Sequence, residues 1–110
     1  MLTNQLNHYP AALGTALVED IAQAAQRVNK VDSQLMAVQL QINRFEGNAD
    51  RSAAFDIDLK NDAQRKARRF EVLLINQEYQ KAMDTLIQLT TEKANAVAHL
   101  EYLRNQFSVA

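Results

Sequence analysis

The most regular pattern in this chain is the segment LVEDIAQAAQRVNKVDSQLMAVQLQINRF, residues 17–45. A period of 3.5 residues puts its apolar side chains on one narrow stripe of an α-helix, which must lie against another helix. We therefore predict a coiled-coil helix, helix A, over about residues 10–46, with Pro10 in its first turn, where proline loses no hydrogen bond. The stripe residues are Leu17, Ile21, Ala24, Val28, Val31, Leu35, Val38, Ile42 and Phe45.

A second stripe with the same period crosses the other half of the chain. Its unbroken phase favours one continuous helix, helix B, over about residues 56–107. Asn76 could instead cap a new helix and produce a kink, in which case three helices could cover one another and the case for a dimer would weaken. The stripe residues are Val72, Ile75, Tyr79, Ala82, Leu86, Leu89, Lys93, Ala96, Leu100, Leu103 and Phe107, and a neighbouring stripe upstream carries Leu59, Ala63, Ala67, Phe70 and Leu74.

The two stripes are separated by a turn predicted at residues 47–52. Glycine readily adopts the left-handed geometry that ends helices, so Gly47 is expected to end helix A. Asp56 or Asp58 is then expected to cap helix B. The predicted fold is all-α, a long antiparallel helical hairpin or coiled coil forming a single domain over residues 1–110. In this hairpin Phe45 would meet the region of Phe55, and Leu17 would reach about Met83.

The predicted hairpin also implies self-association. At about 1.5 Å per residue, helix B would be longer than helix A and would leave part of its stripe bare. Soluble proteins rarely leave such a stripe in water, so we expect a homodimer or higher homo-oligomer with a four-helix arrangement, its subunits parallel or antiparallel. The predicted oligomer interface consists of Leu86, Leu89, Ala96, Leu100, Leu103 and Phe107.

Composition narrows the classes of function. The 110 residues carry a net charge of −1, so no field of the whole chain attracts nucleic acid or an anionic membrane. Cysteine is absent, which excludes disulfides and sulfur-ligated zinc. The sequence shows neither a signal peptide nor the run of about 20 apolar residues that a membrane-spanning helix needs. These features predict a cytoplasmic protein without membrane contact.

The sequence contains no pattern of an enzyme active site. His8 and His99 have no spacing typical of a metal pair, and no phosphate-binding loop or nucleophile elbow is present. We therefore expect no cofactor and no enzymatic activity. Lys93 lies in the second stripe, where its ammonium group is expected to reach water, Glu92 or an acid on a partner helix. Alternatively, one charged core position could select the register and number of helices.

One cluster is strongly basic: Lys60, Arg65, Lys66, Arg68 and Arg69. Clustered Lys and Arg can bind the phosphate backbone of a nucleic acid. The competing interpretation is a solvated helix face paired with acids such as Glu46 or Asp62. The favoured function is an interaction or scaffold protein that self-associates and binds a protein partner. The alternative is a nucleic-acid-binding accessory factor that uses this cluster.

Three stretches carry a resemblance: residues 61–67 (NDAQRKA), 78–80 (EYQ) and 100–107 (LEYLRNQF). They are similar to stretches in short helical proteins of unknown function encoded by phages, prophages and cyanobacteria. The resemblance implies a small accessory protein near phage recombination or replication functions. Such proteins often carry proline where this chain has Gln77, which implies a helix break there.

Overall fold

The computed structural model shows an all-α protein. It describes the backbone of residues 2–109 and the side chains of residues 14–109. These residues form three helices, α1 (Leu2–Ala54), α2 (Asp62–Ile75) and α3 (Gln77–Val109), and include no strand. The predicted all-α hairpin or coiled-coil class is confirmed, although the helix boundaries differ from those predicted. Within the described part of the chain, no helix is both long and apolar enough to cross a membrane.

Helix α1 continues through the position where a turn was predicted. Gly47 is helical and has no positive φ, so the predicted turn at residues 47–52 is wrong. A glycine inside a helix costs about 0.5–1 kcal/mol relative to alanine, which lowers stability without breaking the helix. Ala49 and Ala53 follow it and are buried, with exposed fractions of 1% and 3%. Packing of this last segment of α1 outweighs the local preference of glycine for a turn.

Helix α1 also begins earlier than predicted. It starts at Leu2, so Pro10 lies inside the helix and not in its first turn. Proline has a fixed φ that is itself helical, and inside a helix it removes one backbone hydrogen bond. It therefore weakens this part of α1 without ending it. The side chains of residues 1–13, including His8, lie outside the described residues.

A turn over residues 55–61 joins α1 to α2, and the predicted start of helix B at residue 56 is wrong. Asp56 does not cap the helix, because its Oδ1 accepts a hydrogen bond from the backbone N–H of Asp58 at 2.9 Å. Asn61 is the N-cap, and its Oδ1 accepts from the N–H of Gln64 at 2.9 Å. The Gln64 side chain accepts from the N–H of Lys60, the residue before the cap, at 2.6 Å. These two hydrogen bonds satisfy two backbone donors and set the start of α2.

Asn76 separates α2 from α3, so the prediction of one continuous helix B is wrong and the predicted alternative, a break at Asn76, is confirmed. Its backbone is extended, with φ −80° and ψ 103°, and its N–H donates to the carbonyl of Leu73 at 3.2 Å. Its Oδ1 accepts from the N–H of Tyr79 at 3.1 Å and caps α3. In a continuous helix the N–H of Tyr79 would donate to a backbone carbonyl of the preceding turn, and here the side-chain oxygen of Asn76 takes the place of that acceptor. Asn76 is the only residue between α2 and α3, and Ile75 before it, a member of the predicted second stripe, is 79% exposed.

Long-range contacts divide the chain into two compact units. The first, here called the hairpin unit, comprises Met1–Ser33 and Thr91–Ala110. Within it α1 and α3 are antiparallel, since Ala24 clusters with Leu100 and Leu103. The predicted contact of Leu17 with Met83 is wrong, because Leu17 shares an open cleft with residues 102–109 of α3. The buried cluster is flanked by Leu17, Ile21, Ala25 and Val28.

The second unit, here called the three-helix unit, comprises Gln34–Thr90. Phe45 of α1 meets Tyr79 of α3 edge-to-face, with ring centroids 6.3 Å apart. The predicted contact of Phe45 with the region of Phe55 is wrong, because α1 continues to Ala54, directly before Phe55, and separates the two residues by about 15 Å along its axis. The buried apolar residues of this unit are Ile42, Ala49, Ala53, Leu73, Ala82 and Leu89. Whether the chain behaves as one domain stays a prediction.

Candidate interaction surface

Helix α2 packs into the three-helix unit through a face that carries arginines. Leu73 is buried, while Arg65, Arg69, Val72 and Asn76 are half-buried. At about 100° per residue, these positions cluster on one side of the helix. The inner face of α2 is therefore mixed in character, with one leucine and one valine beside two guanidinium groups.

The opposite face of α2 is apolar and exposed. We call Ala63, Ala67, Phe70 and Leu74 the α2 stripe, because their spacing of four, three and four residues places them in one line along the helix. All four are exposed, Phe70 by 65% and Leu74 by 58%. Contiguous apolar surface of this kind marks interaction sites in soluble proteins. Three further apolar residues are exposed nearby in sequence: Phe55 and Ile57 in the turn before α2, and Ile75 at its end.

Ion pairs hold α2 in this orientation. Nη2 of Arg69 lies 3.0 Å from Oε2 of Glu46, and its Nε lies 2.5 Å from Oδ1 of Asp50. The hydrogen bond to Asp50 raises the pKa of Arg69 above its ordinary value, so the guanidinium stays charged. Arg69 thus bridges two acids one turn apart on α1. Each pair is partly exposed and contributes at most about 1 kcal/mol, but together they orient the arginine face of α2 toward α1.

The predicted nucleic-acid cluster is largely paired within the chain. Arg68 contacts Asp56 at 3.3 Å, and Arg65 contacts Asp62 at 3.0 Å on its own helix. With Arg69 held by Glu46 and Asp50, all three arginines of the cluster contact acids. Lys60 and Lys66 are exposed and take part in no ion pair seen among residues 14–109. The role of the cluster in binding nucleic acid stays a prediction, and its local charge is reduced by these acids.

The predicted oligomer interface is mostly covered within one chain. Ala96, Leu100 and Leu103 are buried, and Leu100 and Leu103 cluster with Ala24 of α1. Leu89 is buried in the three-helix unit. The expectation that these side chains are bare in a single subunit is wrong, because α1 pairs with this part of α3 in a register different from the predicted one. Leu86 is half-buried and Phe107 is 51% exposed. The interface assignment itself stays a prediction.

Of the polar residues singled out on α3, Lys93 pairs with an acid and His99 lies at the surface. Nζ of Lys93 lies 2.7 Å from Oδ1 of Asp32, so the ammonium reaches an acid on a neighbouring helix, as predicted. Both side chains are less than half exposed, at 44% and 42%. His99 is exposed. In the portion of the chain that is described, His, Asp and Glu side chains form no group of three or more that could hold a metal ion.

The contacts of Arg69 with Glu46 and of Arg65 with Asp62 agree with the competing interpretation of the basic cluster, but two features were missed although signals for them exist. Asp50 lies one helical turn after Glu46, a spacing that lets one arginine contact both acids. Asn61 and Gln64 have the spacing of a capping pair. The sequence does identify the α2 stripe as apolar, but it does not reveal that the stripe faces outward.

Comparisons with models of protein families, with curated proteins and with solved structures find no match for this chain. The resemblance to short phage, prophage and cyanobacterial proteins therefore stays a prediction.

Proposed function

We propose that this chain is a non-enzymatic helical interaction protein of the cytoplasm that self-associates and binds a protein partner. The observation that supports the proposal is the outward-facing apolar surface of the three-helix unit. Its centre is the α2 stripe, on a helix whose opposite face is anchored by ion pairs. An exposed stripe on an ordered helix is the kind of surface that docks onto another helix.

Helix α1 offers a second apolar surface in the same unit. Met36 and Leu40 are 69% and 59% exposed and lie one helical turn apart. They lie on a different helix from the α2 stripe, so the unit carries more than one patch for association. Two patches suit a protein that binds both a second copy and another protein.

Charge favours a protein partner over nucleic acid. The net charge of the chain is −1, and the three arginines of the basic cluster already contact carboxylates. Binding phosphate with these arginines would require breaking their ion pairs with nearby acids. Burying exposed Phe, Leu and Met side chains has no such competing interaction and is favourable in water.

The self-association is tested by sedimentation of the pure full chain over a broad micromolar range. We expect a sedimentation coefficient that rises with concentration, because apolar surface is buried on association. A single monomeric species at every concentration would remove self-association from the proposal.

Partner binding is tested by chemical cross-linking in cells of the source organism. The double variant Met36→Asp/Leu40→Asp is compared with wild type and with Gln23→Asp, an exposed α1 position that controls for added acid. We expect the same cross-linked protein in wild type and the control, and its loss in the double variant. Equal cross-linking in all three would exclude the α1 patch, and DNA as the only cross-linked molecule would favour the alternative function.

A further inference from the structure

We infer that the α2 stripe pairs with the α2 stripe of a second copy, with the two helices parallel around a two-fold axis. This inference rests on the self-association in the proposed function and specifies the surface and the orientation. It differs from the interface predicted on α3, whose leucines are largely buried within one chain.

The first support is the spacing of the stripe. Ala63, Ala67, Phe70 and Leu74 follow the alternation of a coiled-coil seam, in which such positions face a partner helix. Arg65 and Arg69 lie on the other side of α2, so a second helix can approach the stripe without displacing the ion pairs. The stripe spans about three helical turns, which predicts weak, concentration-dependent association.

The second support is the charge on the two flanks of the stripe. Lys66 precedes Ala67 and lies on one flank, whereas Glu71 follows Phe70 and lies on the other. In a parallel coiled coil, a residue on the first flank meets the residue five positions later on the partner's second flank. Lys66 of each copy therefore meets Glu71 of the other, which gives two symmetric ion pairs. Both side chains are exposed, and neither is in an ion pair seen among residues 14–109.

An antiparallel arrangement loses this complementarity. It places equivalent flanks side by side, so Lys66 faces Leu73 of the second copy and Glu71 faces Gln64, and neither charge meets an opposite charge. Packing alone does not decide between the two arrangements, since the antiparallel one puts the small Ala67 opposite the large ring of Phe70 and the parallel one puts Phe70 opposite Phe70. The charges do decide, because opposite charges across helices favour pairing and only the parallel arrangement brings them together.

The surface is tested by sedimentation of full-length variants. Phe70→Asp places a charge at the centre of the stripe and should abolish association while leaving helicity by circular dichroism unchanged, because Phe70 is exposed in the single chain. Phe107→Asp, at a similarly exposed position of the hairpin unit, is the matched control and should associate like wild type. Loss of association in Phe107→Asp but not in Phe70→Asp would overturn the inference.

The orientation is tested by charge reversal and by disulfide trapping. Lys66→Glu and Glu71→Lys should each weaken association about tenfold, and the double variant should restore it to nearly the wild-type value. Because the chain has no cysteine, Ala67→Cys gives a single thiol, which should form a disulfide-linked dimer under mild oxidation. Ala94→Cys, an exposed alanine of α3, is the control for random collision. Cross-linking of Ala67→Cys to Phe70→Cys in preference to itself would indicate the antiparallel arrangement and overturn the inference.

The outcomes separate this inference from the proposed function. Association that persists in Phe70→Asp overturns pairing through α2 but leaves self-association intact. A chain that stays monomeric at all concentrations overturns both the pairing and self-association, while cross-linking to a partner is still decided by the Met36 and Leu40 variants.

Discussion

The hairpin unit and the three-helix unit bury apolar surface in opposite ways. In the hairpin unit, two heptad stripes face each other and bury Ala24, Leu100 and Leu103. In the three-helix unit, α2 turns its apolar stripe to solvent and packs through Leu73 and two arginines. A regular apolar stripe therefore predicts a helix and a docking face, but it does not determine whether that face is buried within the chain.

The contrast has a physical cause. A long stripe on α1 has a long stripe on α3 to pair with, and the pairing buries many side chains together. Helix α2 has only 14 residues and is held at its ends by Asn61 and Asn76. Its orientation is set by a few specific contacts, chiefly those of Arg69 with Glu46 and Asp50. Its apolar stripe is left for another helix.

The largest expected effect is on the free energy of unfolding, when a buried leucine and an exposed leucine are each replaced by alanine. Leu100→Ala should lower the free energy of unfolding by about 2–5 kcal/mol, because it removes packing in the hairpin unit. Leu74→Ala, the matched change in the α2 stripe, should lower it by less than about 0.5 kcal/mol. Urea unfolding followed by circular dichroism at low protein concentration measures both. Similar losses in the two variants would mean that the two leucines have similar burial.

A smaller effect is expected at the cap of α2. Asn61→Ala removes the acceptor for the N–H of Gln64 and should cost about 1 kcal/mol. Asn95→Ala is the matched control, since Asn95 is exposed within α3 and alanine there is neutral or slightly stabilising. The comparison uses the same urea titration. A loss in Asn95→Ala that equals the loss in Asn61→Ala would show that the cap has no special role.

Replacing Arg69 tests the ion pairs that orient α2. Arg69→Met keeps the aliphatic stem but leaves Glu46 and Asp50 unpaired, and it should cost at most about 1 kcal/mol because the pairs are partly exposed. The cost should shrink at high salt, where charges are screened. Arg27→Met, at an exposed position of α1 with no ion pair seen among residues 14–109, controls for loss of a cation. A cost in Arg69→Met that is independent of salt would argue against an electrostatic origin.

The smallest expected effect has the opposite sign. Gly47→Ala should raise the free energy of unfolding by about 0.5 kcal/mol, because Gly47 is helical and glycine is the poorer helix former. A Cβ at this position meets only the side chain of Arg51, at 3.8 Å. Destabilisation of Gly47→Ala would indicate the left-handed turn that the sequence pattern had predicted.

The sequence predicts the helical class and both long stripes because the heptad spacing from Leu17 to Phe45 has no other simple explanation. It misplaces the chain reversal because Gly47 is a strong local signal for a turn, whereas the burial of Ala49 and Ala53 depends on distant residues. The register of α1 against α3 was wrong for the same reason. The break at Asn76 was recognised as an alternative, since asparagine can cap either end of a helix.

The candidate surface was only partly predictable. The apolar character of Phe70 and Leu74 is evident in the sequence, and so is the basic cluster. Which face of α2 lies inward depends on contacts between residues far apart in sequence, such as Arg69 with Glu46. The periodicity within α2 predicts the opposite orientation, because an amphipathic helix usually buries its apolar face.

The outward orientation of the α2 stripe is tested most directly by thiol labelling of single-cysteine variants of this cysteine-free chain. Phe70→Cys and Leu73→Cys lie one turn apart on α2, at positions that are 65% and 6% exposed, and are compared at low protein concentration, each against its own rate in urea. We expect Phe70→Cys to react nearly as fast folded as unfolded, and Leu73→Cys to be strongly protected, since Leu73 is only 6% exposed. Protection of Phe70→Cys together with rapid labelling of Leu73→Cys would contradict the account.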